Sequence, residues 1–262
     1  MTRSPLWITS LLCCVLLFAG YNARAAEEVS LYINYLPHRI TGDSGKQYDL
    51  FREELFKDVE HELVYKYGPL KRSATSFSVD RNSCLFPTNA WALKASLGDQ
   101  SLRLISSAPV DVVSLRLYTK TKHSGPVDVD RFQPERIGYI LGSGAIALLG
   151  DRSKRFMPLS SEEQLIRMLE LDRLDAFLGH HPDTALALDD LNKPDMLHVT
   201  PAAILDFRLP ISVVCHDSEQ FRSFQMKLDP RIKEMATNGR LQDILGRHAE
   251  IFDHANEVKQ DF

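Results

Sequence analysis

The stretch YGPLKRSATSFSVDRNSCLFPTN, residues 67 to 89, decides the fold. It opens at the end of an apolar run (Glu62 to Tyr67), crosses Pro69, and continues as a helical segment from Lys71 to Phe77, because proline is tolerated at a helix start. A short apolar strand, Cys84-Leu85-Phe86, follows and ends in the polar turn Pro87-Thr88-Asn89. Strand, helix and strand in this order predict one unit of a parallel α/β layer.

The unit extends in both directions. Val29 to Tyr35 alternates as a strand and Pro37 ends it. Gly42-Asp43-Ser44-Gly45 is a turn, and Tyr48 to Lys57 places Leu50, Phe51, Leu55 and Phe56 on a helical face. Arg136 to Leu141 reads as a strand ending in Gly142-Ser143-Gly144, with a helix starting over Ala145 to Gly150. Ser160-Ser161-Glu162-Glu163 offers a capping box, Leu165, Ile166, Met168 and Leu169 share a face, and Asp175 to Leu178 is a strand. His198 to Thr200 and Arg208 to Cys215 follow, then a helical tail from Ser218 to His248 with Asn238-Gly239 as its stop. The residues predict two α/β lobes with a helical tail.

The first 25 residues read as a cleavable secretory leader, with Arg3, an apolar run from Leu6 to Ala19, and small residues before a cut after Ala25 or Ala26. Removing them takes away Arg3 and Arg24 and no acid, which moves the formal charge from −4 to −6. A mildly acidic surface argues against nucleic acid. Cys84 and Cys215 remain after processing, and in an oxidising compartment they either pair or stay as buried thiols.

The order of pieces resembles the family 3 extracellular solute-binding proteins, the periplasmic receptors of polar amino acid importers. The pieces that carry the likeness are YINYLPHRITGDSGKQYDLFREEL, SSAPVDVVSLRLYTKT, RIGYILGSGA, EEQLIRMLELDRLDAFLGHHPDTALAL and RLPISVVCHDSEQFRSFQMKL. The resemblance implies the type II periplasmic-binding-protein fold. One lobe spans 26–115 plus 209–262 and the other 116–208, with crossovers near Val113 to Tyr118 and Leu209 to Val214 as a hinge. It also implies a monomeric periplasmic receptor that hands a small polar solute to the permease subunits of an ABC importer, with no cofactor and no metal.

Ligands of such receptors sit where strand ends and helix starts face a cleft. Tyr35, His38, Arg72, Thr88 and Asn89 are the expected rim of the first lobe, and Ser143, Gly144, His180 and Asp183 that of the second. A helix start bearing Arg72, aided by Lys71, favours a carboxylate or phosphate, so an anionic or zwitterionic solute fits. The chain departs from the family in two places. The arginine that clamps an α-carboxylate before the first crossover has no clear counterpart, Lys94 and Arg103 being the nearest cations, and the position after Gly179 is a histidine rather than an acid. Trp91 reads as scaffold. In this topology the returning crossover lies beside the third strand, which brings Cys84 towards Cys215. His180, His181 and Asp183 carry groups for acid–base work, so a periplasmic lyase- or dehydratase-type enzyme on this fold is one alternative. It is set below binding because no Gly-x-Ser-x-Gly elbow, phosphate loop or helical zinc-ligand pair occurs. A ligand-sensing module for a membrane signalling partner is the other alternative.

Overall fold

The computed structural model describes residues 28–43, 45–58, 63–120, 127–141, 143–201, 204 and 207–255. The leader, Ser44, Glu62 and Gly142 lie outside them. Among the described residues no helix is long and apolar enough to cross a membrane.

The first half is built on three parallel strands. β1 (Val29–Asn34) pairs with β2 (Leu63–Gly68) on one side and with β3 (Ser83–Thr88) on the other. The connections are α1 (Gln47–Phe56) and α2 (Leu70–Val79). α1 buries Tyr48, Phe51, Leu55 and Phe56, at the spacing that lines one helical face. Leu50 was expected on that face and is instead 41 % exposed, since two residues beyond Tyr48 is about 200° round the helix. α3 (Ala90–Leu97) is a helix that the apolar pattern does not announce. Asn89 caps it by accepting from the N–H groups of Trp91 and Ala92, and Gly98 closes it in the left-handed conformation, φ 65°.

β4 (Leu104–Ser106) and β5 (Asp111–Thr119) follow. The second half contributes β6 (Ile137–Ile140), a 3₁₀ segment over Gly144–Arg155, β7 (Met157–Leu159), α4 (Glu162–Glu170), β8 (Ala176–His181), α5 (Asp183–Asp190) and β9 (His198–Val199). β6 runs parallel to β7 and β8, and β8 runs antiparallel to β5. The capping of α4 is shifted by one residue from the expectation. Ser161 accepts from the Gln164 N–H at 3.3 Å, and the Gln164 side chain, not an acid, accepts from the Ser160 N–H at 3.2 Å.

β10 (Arg208–His216) joins the halves by changing partners along its length. Arg208 to Ile211 pair antiparallel with Ser114 to Asp111 of β5, whereas Ser212 to Cys215 lie against Thr88 to Cys84 of β3. α6 (Glu219–Thr237), α7 (Arg240–Leu245) and β11 (Glu250–Ile251) complete the chain, with Gly239 at φ 83° between the helices. Separate apolar clusters sit on the two sheet regions, one around Leu31, Ile33, Phe51 and Phe86, another around Tyr118, Leu165, Leu169 and Phe177. Two cores joined through extended crossover strands make a two-lobed molecule.

Cys215 stands directly opposite Cys84 in the β3–β10 ladder, with Cα atoms 4.1 Å apart, and the two form a disulfide. The proximity expected from the topology is therefore realised.

Candidate functional site

Parallel strands in register deliver the chain to one edge. Asn34 ends β1 beside Gly68 at the end of β2, and β3 ends at Thr88, so Tyr35, the start of α2 and Asn89 emerge on the same side. In the second half β6 and β8 run parallel, which brings Ser143 and the residues around His180 together.

The strand that the sequence ends at Leu178 continues to His181, because β5 supplies backbone partners that far: Leu115 faces His180 and Ser114 faces His181. His180 and His181 are thus strand residues rather than turn residues. His180 Nε2 and Ser143 Oγ are 3.0 Å apart. Burial lowers the His180 pKa against the opposing pull of Asp183, so the ring stays neutral and keeps one donor and one acceptor nitrogen. Burial, aided by Arg116, also lowers His181, to about 4.

Asp183 is the first residue of α5, where the helix start favours a carboxylate. The close approach of α5 to β8 depends on Gly179, since a Cβ there falls 2.3 Å from Thr184 Oγ1. Near Asp183, burial and that carboxylate push Glu162 up to about 7.

The partner of Asp183 comes from the other half. Arg39, in the loop after β1, is 1 % exposed and donates from Nη1 to Asp183 Oδ2 at 3.1 Å. Its Nη2 reaches Asp111 Oδ2 at 2.9 Å and also the Tyr48 hydroxyl, while the guanidinium carbon lies 4.1 Å from the centre of the Tyr48 ring. Burial alone would lower the Arg39 pKa, but Asp183, Tyr48 and Asp111 outweigh it and hold the guanidinium charged. Next in the chain, His38 is buried and touches Glu163 at 2.9 Å and Asp190 at 2.7 Å, and Lys46 reaches Asp190 at 3.0 Å.

The expected rim residues have different fates. Tyr35 is 44 % exposed, its backbone N–H bound to the Gly68 carbonyl. Arg72 is exposed in the first turn of α2 and has no hydrogen bond or ion pair among the described residues. Thr88 lies opposite Ser212. Asn89 spends its side chain on capping α3 and on the Pro210 carbonyl, 2.9 Å away on the crossover. Gly144 begins the 3₁₀ segment after Ser143. The structure therefore joins Ser143 to His180, and His38 and Asp183 each to the opposite half. Arg39, Tyr48, Asp111 and Glu162 are the charged or polar members that the sequence reading missed. Arg39 sits in the turn that the Leu36–Ile40 bridge closes, and no local pattern marks it as buried. A separate pocket of about 370 Å³, with Arg81, Arg103, His216 and Asp217 in its wall, lies at the far end of β10 from these groups.

No family model matches the chain, and no curated protein matches it. Solved structures do. A histidine kinase sensor domain with similarity to periplasmic binding proteins superposes with TM-score 0.64 at 10 % identity, covering 86 % of this chain and 98 % of that one. The chain has the periplasmic-binding-protein fold. The same periplasmic-binding-protein architecture relates it to an ABC uptake transporter substrate-binding protein from Streptococcus pneumoniae with bound histidine, TM-score 0.62 at 10 % identity, covering 85 % and 94 %. It is also similar to the GluR0 ligand-binding core in complex with L-glutamate, TM-score 0.65 at 12 % identity, covering 85 % and 100 %. At these identities the likeness establishes the two-lobed periplasmic-binding-protein fold.

Proposed function

We propose that this chain is an exported receptor that captures a small polar solute, anionic or zwitterionic, between its lobes and passes it to an ABC importer. The lobes are taken as 26–115 plus 209–262 and 116–208, with the leader removed near Ala25. One observation carries the reading: Arg39 of the first half and Asp183 of the second meet face to face, beside the Ser143–His180 pair. A solute carboxylate replaces Asp183 on Arg39, and an amino or hydroxyl group replaces Arg39 on Asp183. A solute offering both leaves neither buried charge uncompensated when the lobes rearrange around it, whereas a neutral apolar molecule satisfies neither. Ser143 and His180 add directional hydrogen bonds, and exposed Arg72 at the start of α2 attracts the incoming anion.

The test is a thermal-shift screen of polar metabolites against the mature protein. A solute that binds only the folded chain raises its melting temperature. Amino acids or organic acids that raise it support the proposal, and a panel in which only apolar compounds do so refutes it.

Sensing for a membrane signalling partner is the second reading. It is favoured by the number of ion pairs that join the halves directly, among them Arg39–Asp183, His38–Glu163 and Lys46–Asp190. Permease and ATPase genes next to the one for this chain point to import, and a sensor kinase gene points to sensing.

A further inference from the structure

α5 ends in two consecutive carboxylates, Asp189 and Asp190, with no basic residue in its last turn. Both stand at the negative end of the helix dipole, where an acid is unfavourable. A local rule broken in this way asks for compensation from elsewhere in the fold.

The compensation comes wholly from the other half of the molecule, along two separate segments. From the loop between β1 and α1, His38 Nδ1 lies 2.7 Å from Asp190 Oδ2, and Lys46 Nζ donates to the same oxygen at 3.0 Å. From the turn after α7, Arg247 Nη2 donates to Asp189 Oδ1 at 2.6 Å, and His248 Nε2 lies 2.9 Å from Asp189 Oδ2. These contacts outweigh burial and lower the pKa of both aspartates, keeping them charged. The second segment runs on along the hinge. The His248 ring stands edge-on to His181 of β8 at 6.2 Å, and Glu250 binds both crossover strands, through Arg116 of β5 and through Arg208 of β10 at 2.8 Å.

We infer that Asp189 and Asp190 form an interlobe staple that sets how readily the two halves part. The apolar clusters of the halves are largely separate, with Leu209 of the crossover touching both and Trp91 of α3 packing against the second half's cluster. Polar contacts therefore carry much of the interlobe contact. Removing the two charges leaves α5 intact, since its buried face is Thr184, Leu186, Ala187 and Leu188. It removes the Asp190 contacts of the β1–α1 loop and the Asp189 contacts of the turn after α7, and leaves Arg39–Asp183 and His38–Glu163 in place. The staple involves no third molecule and so acts independently of the solute proposed above.

The experiment is small-angle scattering on the mature protein in low salt with no added solute. The double variant Asp189→Asn/Asp190→Asn is expected to show a larger radius of gyration than the wild type. Glu54→Gln, which removes an equally exposed ion pair to Arg240 inside the first half, is expected to match the wild type. An unchanged radius in the double variant, or the same increase in Glu54→Gln, overturns the proposal. A charge swap guards against simple misfolding: Asp190→Lys alone enlarges the particle, and Asp190→Lys with Lys46→Asp brings it back towards the wild-type value. Failure of the swap to restore compactness also overturns it. Because no solute is used, the outcome does not depend on the receptor reading.

Discussion

Arg39 Nη1 stands 3.1 Å from Asp183 Oδ2, and the side chains are 2 % and 15 % exposed. This single contact ties the loop after the first strand to the first turn of α5. The guanidinium fork is shared with Asp111, which is fully buried at the start of the first crossover strand. Salt bridges on the surface contribute on the order of 0–1 kcal/mol. A buried pair behaves differently, because removing one partner leaves an uncompensated charge.

Arg39→Ala is therefore expected to destabilise the protein by about 3–5 kcal/mol in urea titration, since Asp111 and Asp183 both lose their partner. Arg39→Lys restores little of this, as an ammonium cannot span two acids with a planar fork. A loss below about 1 kcal/mol in Arg39→Ala shows that Arg39 is solvated and unpaired in solution.

Glu162 and His181 give the stability opposite pH dependences. Glu162 titrates near 7 in the folded protein, raised by burial and by Asp183. A raised carboxyl pKa means that the folded state holds its proton longer, so the stability contribution is present below the unfolded value near 4.3 and fades as pH rises through 7. Glu162→Gln should gain melting temperature relative to wild type at pH 8 and show little gain at pH 4. His181 acts oppositely. Its folded value of about 4 lies below the ordinary imidazole range, so its contribution is complete near neutrality and lost as pH falls from 6.5 to 4. Removal of His181 should flatten the acid limb of the same profile. Equal gains for Glu162→Gln at both pH values contradict the assignment.

The disulfide closes a loop with a sequence separation of 131. Titration of the unreduced mature protein with a thiol reagent should find no free thiol. Replacing Cys84 and Cys215 by alanine should cost about 2–5 kcal/mol of stability, because so long a loop regains its freedom in the unfolded chain. Two reactive thiols in the native protein exclude the bond.

Arg72 is exposed and unpaired among the described residues, so Arg72→Ala should leave the melting temperature of the solute-free protein unchanged. Binding of any anionic hit should weaken, and the weakening should shrink as salt is raised. An Arg72→Ala protein that binds as the wild type does at low salt removes Arg72 from the site.

The order of strands and helices was legible because each strand alternates or runs apolar for a few residues and each helix carries an apolar face. α3 was missed because Ala-Trp-Ala-Leu-Lys-Ala-Ser-Leu is apolar on most sides and buries only Leu93, although its Asn89 cap and Gly98 stop stand in the sequence. The extension of β8 through His180 and His181 was not legible, since the pairing that holds it comes from β5, more than 60 residues earlier. Arg39 was invisible for a related reason. Nothing local says that an arginine is buried when its acids lie 72 and 144 residues away. The nearness of Ser143 to His180 was legible because each was read at the end of its strand, and the ends of the parallel strands β6 and β8 lie side by side.

In the proposed receptor a polar solute binds between the lobes against Ser143 and His180. The direct measurement is isothermal titration of the best solute from the thermal screen into wild type, Ser143→Ala and His180→Ala. Loss of a hydrogen bond to a buried polar group costs about 1–3 kcal/mol, so each variant, titrated well below its own solute-free melting temperature, should bind at least several-fold more weakly. Wild-type affinity in both variants would place the solute elsewhere and contradict the account.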